Sequence, residues 1–101
     1  MAREAQAGSG RMSHGADSRV APLSRVVRAR REELGLRQSE LADLAGCSER
    51  FVHTIEHGKE SLRLDKLLDV LEVLGLDLLA APGRGRIGVA PDDAAGPGEG
   101  A

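Results

Sequence analysis

The stretch QSELADLAGCSERFVHTIEH, residues 38–57, decides the fold. In its first half, Leu41, Leu44 and Ala45 recur at helical spacing, with Glu40 and Asp43 on the opposite side, so residues 38–45 read as a short amphipathic helix. Gly46 permits a tight turn, and Ser48 has the side-chain acceptor favoured where a new helix opens. Beyond it, Phe51, Val52 and Ile55 share an inward face, whereas Glu49, Arg50, His53, Thr54 and His57 share the outward one. Gly58 ends the segment.

Two short helices joined by a glycine turn, the second with a polar outer face, form a helix-turn-helix pattern. Four positions fit it at fixed spacing: the small Ala42 where the helices cross, Gly46 in the turn, and Val52 and Ile55 where the second helix must bury aliphatic side chains.

Working outward, Pro22 suits the start of a helix of about residues 23–34, in which Leu23, Val26, Val27, Arg30 and Leu34 recur at three- and four-residue spacing. Gly35 caps it, and Leu36 folds back onto the core. After the loop 59–62, Leu64, Leu67, Leu68, Leu71 and Leu74 make the stripe of a fourth helix, 64–74, widened by Val70 and Val73. So broad an apolar surface suits packing on two things, the domain's own core and a second subunit. Leu76 to Ala80 (LDLLA) alternates like a short strand, and a lone strand must pair with another chain, most simply its mate across a two-fold axis. The dimer surface is therefore assigned to Val70, Val73, Leu74, Leu76, Leu78 and Leu79.

The chain has 101 residues, enough for one small domain. Residues 1–19 and 81–101 are rich in Gly, Ala, Ser and Pro without sustained periodicity, and read as disordered tails around a domain at 20–80. A product starting at Met12 would lose nothing the pattern marks as folded. A core of this size is marginal alone, which again favours a dimer.

The net charge of −2 runs against nucleic-acid binding, but its distribution is uneven. Eight arginines face four acids in residues 1–37 (+4), whereas four cations face nine acids in 38–80 (−5). A local basic edge near Arg25, Arg28 and Arg37 is the expectation, with a solvated helix face as the plain alternative. One cysteine, Cys47, excludes an internal disulfide and reads as a buried small hydrophobe. No stretch approaches the ~20 apolar residues of a membrane span, and no export signal is present, so a cytoplasmic location is expected.

From Leu23 to about Ala80 the sequence resembles the Xre/phage-repressor (Cro/C1-type) helix-turn-helix family, through RARREELGLRQSELADLAGCSERFVHTIEHGK and LDKLLDVLEVLGL. The leucine-rich last helix and the ending LGLDLLA look most like the HipB-like antitoxins of HipA-type kinase toxins. The resemblance implies an all-α, lambda-repressor-like domain of four to five helices with a short C-terminal dimerisation strand. It also implies a repressor that binds a pseudo-palindromic operator as a homodimer and is the antitoxin of a type II toxin-antitoxin pair, with double-stranded DNA and a HipA-like kinase as partners. Two alternatives stand beside it: an interaction module that neutralises a toxin with DNA binding secondary, and a prophage-type repressor without a toxin.

By the same resemblance Gln38 contacts a phosphate, Glu49, Arg50 and Thr54 face base edges, and Arg31 with Glu56 forms a structural salt bridge. Arg37 replaces the usual Thr or Ser helix cap, which omits an interaction commonly worth ~1 kcal/mol. Arg50 matches guanine O6 and N7, and a phosphate contact is its equal alternative. Thr54 is suited to a thymine methyl, or is a plain exposed residue. Arg25, Arg28, Arg37, Lys59 and Arg63 are further phosphate candidates whose alternative is solubility. The run 53–57 matches H-x-x-E-H, a zinc-protease signature. A catalytic zinc needs a third protein ligand, an open coordination position and a substrate cleft, for which ~60 folded residues offer little room. Glu56 is already accounted for by Arg31, so no catalytic residue, metal or cofactor is assigned, and His53 and His57 are placed near DNA.

Overall fold

Four runs of helix-forming residues, each followed by a glycine at positive φ, become four helices among residues 18–91, the part of the chain that the computed structural model describes. They are α1 (Ala21–Glu33), α2 (Gln38–Ala45), α3 (Glu49–Glu56) and α4 (Leu64–Leu74). Helix α2 packs on α3 and α4, and α1 packs on the same two, giving an all-α fold around one core. Val27, Leu41, Val52, Ile55, Val70 and Leu74 are its largest fully buried side chains, and Ala42 lies among them.

Helix α1 starts two residues earlier than its apolar spacing suggests, with Pro22 in the first turn. The Glu60 carboxylate explains this, because it accepts from the Arg19 amide at 2.9 Å and the Ser18 hydroxyl at 3.3 Å. An acid there also complements the positive end of the helix dipole. Ser18 and Arg19, expected in the tail, are thereby drawn onto the domain. The expectations for residues 1–17 and 92–101, including a start at Met12, lie outside the described residues.

Three expectations about leucines need correction. Leu44, read as inward, is 63% exposed, because Leu41, Ala42 and Ala45 already fill the inner side of α2. Leu64 and Leu68 are 58% and 45% exposed, since α4 turns Leu67, Val70, Leu71 and Leu74 inward instead. Leu34, at the end of α1, is exposed as well.

After Gly75 the segment Leu76–Ala80 forms no strand within the single chain, where no strand partner was expected. The chain then runs on as coil, and Ile87 packs half-buried against the core, seven residues beyond the expected domain limit at 80. Among the described residues no helix is long and apolar enough to cross a membrane.

Candidate nucleic-acid interface

The connection between α2 and α3 is Gly46-Cys47-Ser48. Gly46 adopts φ 74° and ψ 33°, and the next amide, Cys47 N–H, donates to Ala42 O at 3.0 Å, which closes α2. A Cβ built on Gly46 meets nothing within 4 Å, so the demand for glycine is purely conformational. Ser48 is extended, and its Oγ accepts from the Phe51 amide at 3.1 Å, capping α3. Gly46→Ala is expected to cost roughly 1–2 kcal/mol and Ser48→Ala about 1 kcal/mol in urea denaturation. No loss in either variant would mean that the turn is not held by these two devices.

Helix α3 is fastened from behind at its C-terminal half. Val52 and Ile55 are fully buried, and the buried Ser24 of α1 donates its hydroxyl to Ile55 O at 2.6 Å. Arg31 of α1 donates through Nε to Glu56 Oε2 at 2.7 Å and through Nη2 to Oε1 at 2.9 Å, while its Nη1 donates to Leu36 O at 2.8 Å. Gln38, at the start of α2, donates its amide to Glu56 Oε1 at 3.0 Å. One guanidinium thus ties α1, the α1–α2 loop and the end of α3 together.

These groups are well shielded, with side-chain exposures of 11% for Arg31 and 2% for Glu56. Burial pushes the Glu56 carboxyl up, but the hydrogen bonds from Arg31 and Gln38 and the charges of Arg31 and Arg28 outweigh it and leave the group below its ordinary range. Arg31 is raised, chiefly by its hydrogen bond to Glu56.

The opposite face of α3 stands clear. Glu49, Arg50, His53 and His57 are exposed, and Thr54 is half-buried. The His53 and His57 rings stack with centroids 3.8 Å apart and planes at 19°. Glu56 points the other way, into Arg31 and Gln38, so the H-x-x-E-H run does not converge on one point. Among the described residues no group of three or more His, Cys, Asp or Glu is arranged to hold a metal ion. Cys47 is half-buried, and burial raises its thiol against the charge of Lys66, which disfavours the reactive thiolate.

The residues expected to contact phosphate lie on several elements, and three of them hold acids. Arg28 meets Glu32 at 3.3 Å, Arg63 meets Asp65 at 2.8 Å, and Arg37 meets Glu40 at 3.4 Å, all exposed pairs of the kind worth little to stability. Arg25 and Lys59 are exposed. The missing cap at Arg37 is half replaced, because Glu40 Oε1 accepts the Arg37 amide at 2.8 Å. That backbone bond, then the Arg37 side chain, lowers the Glu40 carboxyl. Arg63 and Lys66 line an open groove of about 370 Å³ beside Gly46, Cys47, Ser48 and Phe51.

A family model described as "Helix-turn-helix domain" matches residues 22–81. The chain belongs to the helix-turn-helix domain family. The uncharacterized HTH-type transcriptional regulator y4mF of Sinorhizobium fredii is 42% identical over 67 residues, which are 65% of this chain and 88% of that protein. In fold, the chain is similar to a chain of the HipA-HipB-O2-O3 complex, with TM-score 0.55, 22% identity, and coverage of 61% of this chain and 87% of that one. An MDT protein matches with the same figures.

Within this helix-turn-helix domain the assigned dimer surface divides. Val70 and Leu74 are buried in the chain's own core, a correction that follows from α4 turning its valine side inward. Val73 and Leu76 are half-buried, and Leu78 and Leu79 are 46% and 54% exposed. Sequence reasoning also missed three ties. Ser24 reaches α3, Lys66 donates to Gly46 O at 3.5 Å, and Arg30 donates through Nε to Leu74 O at 2.8 Å. Each partner is 20 or more residues away, and no local pattern signals it.

Proposed function

We propose that the chain is a sequence-specific DNA-binding transcriptional repressor that acts as a dimer, with α3 in the major groove of each half-site. The observation that carries this reading is the contrast across α3: its inner side is fastened by Val52, Ile55, Ser24 and Arg31, and its polar outer side, with Glu49, Arg50 and His53, is left open. A rigidly backed helix presents base-reading groups without an ordering cost at binding. Arg50 is the guanine reader of this scheme, with Glu49 against a cytosine amino group and Thr54 against a thymine methyl. Gln38, Arg37, Arg25, Arg28, Lys59 and Arg63 position the phosphates, and Lys66 joins Arg63 there. One amide hydrogen of Gln38 is held by Glu56, so its backbone contact uses the other hydrogen or its N–H. The dimer forms through Val73, Leu76, Leu78 and Leu79, with 76–80 pairing across the two-fold axis.

The family membership and the HTH-type relative support the regulator. For the antitoxin role, support comes from the fold likeness to a chain of the HipA-HipB-O2-O3 complex and from α4 itself. Exposed Leu64 and Leu68 adjoin Asp65, Asp69 and Glu72, an apolar and acidic face suited to a protein partner and repelled by phosphate. A kinase toxin is the partner assigned to it.

The test measures binding to duplexes tiled over the DNA upstream of its own gene against a random duplex at moderate salt. Arg50→Ala is expected to change the preferred sequence, with a loss of about 1–3 kcal/mol at one base position, and Gln38→Ala to weaken all sequences evenly. Equal loss on every sequence for Arg50→Ala would overturn its base-reading role. No preference of the wild type for its own promoter would leave the pure interaction module.

A further inference from the structure

The imidazole of His57 sits at the C-terminal end of α3 with its chemistry fixed by the helix itself. Its Nδ1 lies 3.0 Å from His53 O, and a carbonyl oxygen only accepts, so Nδ1 carries the hydrogen. The neutral ring therefore presents a bare lone pair at Nε2. The face of the ring rests on His53, so its direction is held from two sides. His57 is exposed, two turns along from the N-terminal residues of α3 that would meet bases.

We infer that His57 is a proton-gated contact to a DNA phosphate: neutral, it offers the backbone no hydrogen, and protonated, it donates one through Nε2. The inference rests on the DNA-binding reading above and adds regulation by pH to it. Phosphate oxygens only accept, so neutral His57 meets them lone pair to lone pair. A proton turns the same contact into a charge-assisted hydrogen bond.

The neighbours define how many protons are involved. On α3, Glu56 is turned inward to Arg31 and Gln38, and Arg50 lies towards the other end. From α1, Arg28 and Arg31 approach this end through Glu56. In the following loop, Lys59 is exposed and Glu60 accepts from Ser18 and Arg19. Of these groups His57 is the one whose contact to phosphate needs an added hydrogen, so in this scheme one proton is linked to binding.

Anisotropy titrations of a labelled random duplex of about 30 base pairs, and of upstream fragments, between about pH 8 and 5.5 at fixed ionic strength test this. Wild-type affinity should rise by about tenfold in total, never faster than about tenfold per pH unit, and alike on both kinds of duplex because the contact is to phosphate. His57→Gln should be flat. His57→Lys should hold at pH 8 the affinity the wild type reaches only in acid, and His53→Gln should keep the rise. A rise that persists in His57→Gln, or vanishes in His53→Gln, overturns the assignment. Binding without any pH response overturns this inference alone, and no DNA binding at either pH overturns it together with the DNA-binding reading.

Discussion

Replacing Arg31 by Ala is expected to destabilise the domain by roughly 3–5 kcal/mol, because it leaves the carboxylate of Glu56 shielded from water with only the amide of Gln38. Glu56→Ala should cost a similar amount by stranding the guanidinium. For a domain this small, losses of that size approach the whole of its stability. Urea denaturation of the two single variants and the double variant checks this: a double variant no worse than either single is the expected mark of a coupled pair. Two additive, sub-kcal losses would mean that the pair is only a surface contact.

The same carboxyl sets an acid response. The Glu56 carboxyl in the fold lies below its ordinary range, so its contribution is fully present above the unfolded value and is lost as pH falls through the folded one. Stability attributable to Glu56 should therefore be level from neutral pH down to about 5 and decline below it. Glu56→Gln should start less stable and show a shallower decline. An equal acid slope in that variant would move the response to other carboxylates.

Ile55→Ala should cost about 2–5 kcal/mol. The side chain is fully buried, and two constraints hold the backbone around the resulting cavity: Ser24 on the Ile55 carbonyl and Arg31 on the next residue. Because such a site collapses poorly, the upper half of that range is expected. Ser24→Ala should be destabilising by itself, and the double variant should depart from the sum of the two singles, since both act on one residue. A loss under ~1 kcal/mol for Ile55→Ala would show that α3 can sink into the space, and its backing would then not be rigid.

How much of this was legible in the residues depended on the range of the forces involved. Helix ends were readable because glycine is a local signal: Gly35, Gly46, Gly58 and Gly75 all take positive φ. Ala42, Val52 and Ile55 were readable because a crossing of two short helices demands small and aliphatic side chains at fixed offsets, and all three are buried. The leucines of α4 were harder. A stripe of five with two flanking valines covers more than half the helix, so periodicity alone could not decide that Val70 would be buried and Leu64 and Leu68 exposed.

Long-range polar ties were not legible from the pattern at all. Ser24 looked like an ordinary polar helix residue, yet its partner is Ile55. Arg30 falls on the apolar stripe by spacing and is half-buried, while its guanidinium donates to Leu74 O and pairs with Glu33 at 3.1 Å. The pairing of Arg31 with Glu56 came only from family resemblance. The outer face of α3 was easily recognised as polar, but the tautomer of His57 required the carbonyl that sits beside it.

The bond from Arg30 to Leu74 O has a metrical consequence. Gly75 ends α4, and the Arg30 bond ties that end to α1, which holds the direction in which the chain leaves towards Leu78 and Leu79. In the proposed dimer that departure sets the two-fold axis, and the axis sets the separation of the two α3 helices. In such a dimer the guanidinium of Arg30 would act as a gauge for the operator, setting the number of base pairs between half-sites without touching the DNA.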